Sequence, residues 1–344
     1  MPRMRTSLSK IADYPAHLEA CWQEHLQPKA DDAPTLISTF AGCGGSSLGY
    51  SMAGFRELLA VEWDNNAVET FRLNFPDVPV YHGDIAKLSV EQCLEMTGLQ
   101  PGELELFDGS PPCQGFSTAG KREFTDDRNQ LFREFVRLLR GLQPKVFVME
   151  NVSGMVKGKM KLIFAEILRE LKGSGYKVSA RLLNAMYFGV PQSRQRLIFV
   201  GVREDLGIEP SHPQAETVPV TAREAIGHLP PGVRGDHEPQ VLRAWEMSRP
   251  GKSLRETCRY VGSFQSVRLD PNKPSATQIK AHLNWHYAIA RQLTSKEAGI
   301  IGSFPEKYQW VGSKANYKKR IGNSVPPLMM RSIARHIRRE ILRN

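Results

Sequence analysis

The sequence predicts a doubly wound α/β fold, its parallel sheet closed by a terminal antiparallel hairpin, joined to a smaller irregular domain. Three observations carry this. Apolar, β-branched runs alternate with helical patterns through the first two hundred residues, two late strand patterns are separated only by a loop, and the texture turns proline-rich after Val202. Alternating βαβα order calls for a parallel sheet with ligands bound outside the carboxyl ends of its strands. A return through a loop too short for a crossover helix forces the last strand to run antiparallel.

The elements follow in order. Residues 1–33 form an N-terminal extension with a short helix expected around 16–26. Strands are expected at 35–40, 58–61, 104–107 and 146–149, with a short one before Gly83; helices are expected at 47–52, 66–74, 129–142 and 162–171; the hairpin takes 177–183 and 197–202. From Glu209 to Pro274 there are nine prolines and no long periodic segment, which marks the smaller domain. The expected division is therefore 34–205 with 319–344 as the sheet domain, and 206–318 as the smaller one.

With 41% hydrophobic and 24% charged residues, the 344-residue chain has the balance of an ordinary globular protein. No run approaches the ~18 apolar residues of a membrane span, and Met1-Pro2-Arg3-Met4-Arg5 leads into polar sequence, so a cytoplasmic protein with no membrane partner is expected. Cys21, Cys43, Cys93, Cys113 and Cys258 are scattered, never paired as CxxC, and expected to be free thiols. The net charge of +10 suggests a polyanionic partner. Its excess is C-terminal: residues 291–344 carry 12 Lys or Arg against 3 Asp or Glu. There Ile333, Ile337 and Ile341 share one helical face while Arg331, Arg335 and Arg339 line the other, the pattern of a packed helix with a solvated back. His282 and His286 stand four apart, but Leu283 occupies the place that the HExxH pattern gives to Glu, so no metal is expected.

Phe40-Ala41-Gly42-Cys43-Gly44-Gly45-Ser46-Ser47 follows the first strand, where glycines let a ligand approach the backbone. Ser47 breaks the GxGxxG dinucleotide pattern, which argues against a nicotinamide oxidoreductase. Glu62 stands twenty residues beyond Gly42, the spacing at which an acid meets ribose hydroxyls, and Trp63 offers a flat face to an adenine. Asp84, in Gly83-Asp84-Ile85, would accept from an exocyclic adenine amine. Three such elements at successive strand ends point to an adenosine-containing cofactor.

Asp108-Gly109-Ser110-Pro111-Pro112-Cys113-Gln114 follows the next strand. Its prolines fix the backbone and place Cys113 on a rigid loop at the sheet's carboxyl edge. Glu150-Asn151-Val152 puts a carboxyl group at the same edge, and strand alternation aims Arg194 and Arg196 of Gln192-Ser193-Arg194-Gln195-Arg196 to one side.

These motifs, with Gly322-Asn323-Ser324-Val325-Pro326-Pro327, stand in one order from residue 35 to 330, and in that order the chain resembles the DNA cytosine-5 methyltransferases of the bacterial or phage modification type. Arg291-Gln292-Leu293-Thr294-Ser295-Lys296-Glu297 with Phe304-Pro305 also resembles the family's segment before its last motif. The resemblance implies the methyltransferase variant of the Rossmann-like sheet, with the smaller domain as target-recognition domain. It implies S-adenosylmethionine as methyl donor, S-adenosylhomocysteine as product, and Phe40, Ala41, Gly42, Cys43, Gly44, Gly45, Glu62, Trp63, Asp84, Ile85, Pro112, Asn323 and Ser324 as cofactor-binding residues. Cys113 is implied as the covalent nucleophile on cytosine C6. Glu150 would donate to N3, Arg194 and Arg196 would bind O2 or orient the other two, and the base would be flipped out of the duplex. Residues 114–120, followed by Lys121-Arg122, resemble the loop that closes over the flipped base.

The partner implied is double-stranded DNA, bound by a monomer, with a cognate restriction endonuclease acting on the same site without stable binding. The variable recognition segment is placed at 231–266, with Arg234, Arg243, Arg249, Lys252, Arg255 and Arg259 as candidate DNA contacts; several of these are expected only to balance neighbouring acids. Three other functions compete. RNA (tRNA) cytosine-5 methylation is opposed by Gly115-Phe116 after the Pro-Pro-Cys-Gln run, a DNA-binding module without catalysis by the intact Cys113, Glu150 and Arg194 set, and a nicotinamide enzyme by Ser47.

Overall fold

A computed structural model describes residues 7–112, 130–156, 158, 160–257, 266–280 and 282–343. The chain divides into two compact units, one of residues 27–183, 195–213 and 331–344, the other of 1–26, 184–194 and 214–330. The cuts at 183/184 and 194/195 fall inside the hairpin, and residues 1–26, whose helix α1 spans Tyr14–Leu26, cluster with the second unit.

The first unit is built on a sheet of seven strands: β1 (Thr35–Thr39), β2 (Arg56–Glu62), β3 (Val80–His82), β4 (Leu106–Gly109), β5 (Val146–Val152), β6 (Tyr176–Asn184) and β8 (Gln195–Arg203). A two-residue β7 (Gln192–Ser193) interrupts the hairpin and belongs to a different sheet. The spatial order is β3-β2-β1-β4-β5-β8-β6. The neighbouring strands from β3 to β5 pair in parallel, and β8 runs antiparallel to β5, as the short connection requires. The hairpin's second strand does not take the edge; it lies between β5 and β6.

Helices α2 (Gly45–Met52), α3 (Asn65–Asn74), α4 (Val90–Thr97), α5 (Gln130–Leu142) and α6 (Met160–Lys172) connect the strands. The order is that of a doubly wound fold, and it reverses at β1, where strands leave towards β2 on one side and β4 on the other. Ligand crevices form at such a switch point. α4, outside the expected helices, sets Val90, Cys93 and Leu94 on one face against the core, and Ser89 and Gln92 close a full capping box at its start. The core includes Ile37, Leu59, Phe107, Phe135, Phe147 and Phe199, with Phe107 and Phe135 stacked 4.8 Å apart. α12 (Pro327–Ile337) passes into a final π turn, where Ile333, Ile337 and Ile341 are buried and Arg335 and Arg339 exposed.

The second unit carries short helices α7 (Ala222–Ile226), α8 (Pro239–Met247), α9 (Leu254–Thr257), α10 (Ser295–Ile301) and α11 (Lys314–Asn323), and pairs β7 with β9 (Ser275–Ala276). Trp245, Leu254, Trp285 and Ala290 form a small core there. A buried Arg291–Glu297 pair, doubly bonded at 2.7 Å, holds the Pro231 carbonyl through the same guanidinium. Of the described residues, no helix is long and apolar enough to cross a membrane.

Candidate active site

The loop after β1 turns because three residues take left-handed backbone: Phe40 at φ +56°, Gly42 at +59° and Gly44 at +88°. Glycine meets that demand freely, whereas Phe40 adopts it at a cost. The Glu62 carboxylate ties the loop to β2. Its Oε2 accepts from the Gly42 amide at 2.8 Å, while Oε1 accepts from the Trp63 and Asp64 amides at 3.0 and 2.9 Å. Sequence spacing made Glu62 a ribose ligand; its part as the staple of the loop was invisible without the fold. Beside it the Trp63 ring is 76% exposed. Ala41, Cys43, Gly44 and Gly45 are buried, Phe40 and Gly42 half-buried.

Asp84 is exposed at the end of β3 and caps the following turn, its Oδ1 accepting from the Ala86 amide at 3.0 Å; Ile85 is buried. Asn323 and Ser324 belong to the second unit, at the end of α11.

The run towards Cys113 is fixed from both neighbouring strands. The Thr39 hydroxyl donates to the Asp108 carbonyl at 3.0 Å, and the Asn151 amide donates to the Pro111 carbonyl at 3.2 Å. Gly109 is required by close approach: a Cβ there would stand 2.5 Å from Thr39 Oγ1 and 2.7 Å from the Phe135 ring. Cys113 itself, residues 114–122 of the expected closing loop, and Cys258 and Arg259 lie outside the described residues. Cys21, Cys43 and Cys93 are buried and form no disulfide among the described residues.

Glu150, two residues before the end of β5, has its side chain 10% exposed and pairs with Arg196 on β8, Nε to Oε1 2.6 Å. The register sets Glu150 opposite Ile198 and Val152 opposite Arg196, so the ion pair is a diagonal across the antiparallel ladder. Arg194 takes other partners. It lies in the break between β7 and β8, where strand alternation no longer applies. Its guanidinium, 1% exposed and within the second unit, donates to the carbonyls of Gln278 and Gly322, both at 2.9 Å. The two arginines that the sequence set side by side thus serve different partners.

Sequence reasoning passed over a buried acid pair beneath α2. The Asp108 side chain is closed in β4, where Tyr50 Oη donates to its Oδ1 at 2.9 Å. Burial pushes this carboxyl up to about 8, opposed by the Tyr50 hydrogen bond and reinforced by the charges of Glu57 and Glu150. Glu57 is raised to about 7 by burial as well, although the hydroxyls of Ser38 and Ser47 donate to its Oε1. The signal available was an acid in the middle of an apolar strand pattern, Leu106-Phe107-Asp108.

In the recognition segment, Arg234 pairs with Glu246 at 3.0 Å and Lys252 with Glu256 at 3.5 Å, whereas Arg243, Arg249 and Arg255 are exposed.

Residues 35–237 and 232–339 match the C-5 cytosine-specific DNA methylase family. The chain is 37% identical over 326 residues to Type II methyltransferase M1.HphI of Haemophilus parahaemolyticus, covering 87% of this chain and 85% of that protein. Against Type II methyltransferase M.NgoPII of Neisseria gonorrhoeae it is 30% identical over 354 residues, covering 93% and 100%. The crystal structure of a prophage-encoded DNA modification methyltransferase from E. coli superimposes with a TM-score of 0.77 at 26% identity, covering 90% of this chain and all of that one.

Proposed function

Since the chain belongs to the C-5 cytosine-specific DNA methylase family and is a DNA cytosine-5 methyltransferase, we propose that Cys113 is its covalent nucleophile, with Glu150 and Arg196 acting on the base and S-adenosylmethionine bound along β1 to β3. The observation that carries this reading is the Glu150–Arg196 pair at 2.6 Å, at the end of the strand whose Asn151 anchors the Pro111 carbonyl two residues before Cys113.

Cytosine C5 is a poor nucleophile until something adds at C6. The Cys113 thiolate forms the bond to C6, and the ring's electron pair moves towards N3 and C5. Glu150 shares a proton with N3 as charge collects there. Arg196, held by Glu150 Oε1, stabilises the charge on O2. Once C5 carries the methyl group, loss of its proton and β-elimination of the thiolate restore both ring and enzyme. The base reaches these groups flipped out of the duplex, at a cost of a few kcal/mol of unstacking.

The residues present fit the methyl donor. A carboxylate offers about four acceptor sites, and backbone amides take three at Glu62, leaving one on Oε2 for a ribose hydroxyl. Trp63 presents an open ring face for an adenine, and Asp84 an exposed carboxylate for its amine. S-adenosylmethionine, when bound, supplies the electrophilic methyl group. Ile85 and Pro112 complete the proposed contacts within the first unit. The protein acts as a monomer on DNA, and the cognate endonuclease shares its site without binding it. RNA methylation is not favoured, because the family matched acts on DNA.

A duplex bearing 5-fluorocytosine tests the mechanism, since the fluorine blocks the elimination step. With S-adenosylmethionine present, the wild-type protein should form an adduct that survives denaturing electrophoresis, and Cys113→Ser should form none while still binding S-adenosylhomocysteine. An adduct formed by Cys113→Ser refutes the assignment. Bisulfite sequencing of DNA from an expressing host reads out the target cytosine and its context.

A further inference from the structure

β3 is three residues long and, among the described residues, sits at the sheet edge beside β2. So short a strand constrains the turn that follows it weakly. The turn, Ile85–Lys87, is a single 3-10 helix capped by Asp84. A second element grips it from outside. Arg137 on α5 directs Nη2 to the Ile85 carbonyl at 3.0 Å and to the Leu88 carbonyl at 2.8 Å, one for each hydrogen of that nitrogen. Nε of the same side chain is held by Glu134 Oε2 at 2.6 Å, one helical turn back. The guanidinium therefore arrives pre-oriented, and its charge sits at the carbonyl end of the turn, where a cation is favoured.

We propose that Arg137 is a positioning residue for the cofactor: it locks the turn after β3 so that Asp84 and Ile85 present a fixed adenine subsite. The proposal rests on the reading that these two residues receive the adenine. Lysine cannot replace this arrangement in full. An ammonium can reach one or both carbonyls as a point charge, but it lacks the planar fork that keeps Glu134 engaged at the same time.

The test is calorimetric binding of S-adenosylhomocysteine to the full chain, with duplex-DNA affinity and melting temperature measured on the same variants. Arg137→Met should weaken S-adenosylhomocysteine about tenfold, with DNA affinity unchanged. Arg137→Lys should recover part of that loss, and it keeps the test open if the Met variant does not fold. Steady-state kinetics should show the cofactor KM raised while kcat at saturating cofactor stays near wild type. Asp84→Ala is the parallel arm. If Asp84→Ala weakens binding and neither Arg137 variant does, the positioning role is overturned and the adenine reading stands. If Asp84→Ala leaves binding unchanged, both fall. Equal losses of cofactor and DNA affinity in the Arg137 variants also overturn the proposal, as they would report general disruption.

Discussion

Asp108→Asn removes a carboxyl that the fold keeps protonated, and the consequence is a change in how stability depends on pH. The folded carboxyl titrates at about 8 because it is buried, with Tyr50 as its hydrogen-bond donor and Glu57 and Glu150 as neighbouring acids. In the unfolded chain an aspartate titrates near ~3.9. Between these values the folded protein holds one proton more than the unfolded one. Unfolding free energy must then fall as pH rises, by about 1.36 kcal/mol per pH unit for this group alone. From about pH 5.5 to about pH 7 the loss is ~2 kcal/mol. Asparagine can still accept from Tyr50 but carries no titrating proton, so the variant should lack that slope. The assay is urea unfolding of both proteins at the two pH values, read by tryptophan fluorescence. The difference between variant and wild type should grow by ~2 kcal/mol in the variant's favour over the interval. Histidines such as His212, lowered to about 4 by burial, titrate alike in both proteins and cancel in the comparison. Parallel pH dependences would refute the reasoning, because they would mean that Asp108 is already ionised in the folded protein.

Two further outcomes are expected. Gly109→Ala must push a methyl group against Thr39 Oγ1 and the Phe135 ring, and overpacking of this kind costs ~1–3 kcal/mol, visible as a lower melting temperature; an unchanged value would show that the strand yields. Arg194→Met leaves the Gln278 and Gly322 carbonyls without their buried charged donor, and should lower unfolding free energy by ~2–4 kcal/mol in urea titrations, whereas a variant as stable as wild type would mean that these bonds are dispensable.

The sheet was legible because its strands are apolar and β-branched and its helices periodic, two patterns that local sequence carries by itself. α4 shows the limit. Val90–Thr97 is only eight residues long, and both its apolar face of Val90, Cys93 and Leu94 and the Ser89–Gln92 capping box were there to be found. The tight turn after β1 was legible from its glycines, of which Gly42 and Gly44 take left-handed backbone. That Glu62 spends three acceptor sites on the loop's own amides depends on the path of the backbone, which spacing does not encode. The arginines are the clearest case. Alternation holds only while a strand continues, and the break after β7 puts Arg194 on carbonyls of its own unit and leaves Arg196 for Glu150.

That separation bears on how the reaction is arranged. A nucleophile gains most when its approach to the reacting carbon is fixed beforehand, since the entropy of alignment is then lost on folding instead of in the transition state. Four contacts fix the run before Cys113: the Tyr50 hydroxyl, the Thr39 hydroxyl, the Phe135 ring and the Asn151 amide. They come from α2, β1, α5 and β5, so the segment is held on several sides. α2 starts in the loop stapled by Glu62, and β5 carries Glu150 one residue before Asn151. The same elements that present the proposed cofactor residues and the proposed acid therefore also set the direction in which the chain enters Cys113. On the proposed mechanism, Asp108 and Asn151 act on the chemistry through alignment of the run before Cys113, and their substitution should change kcat more than the affinity for either substrate.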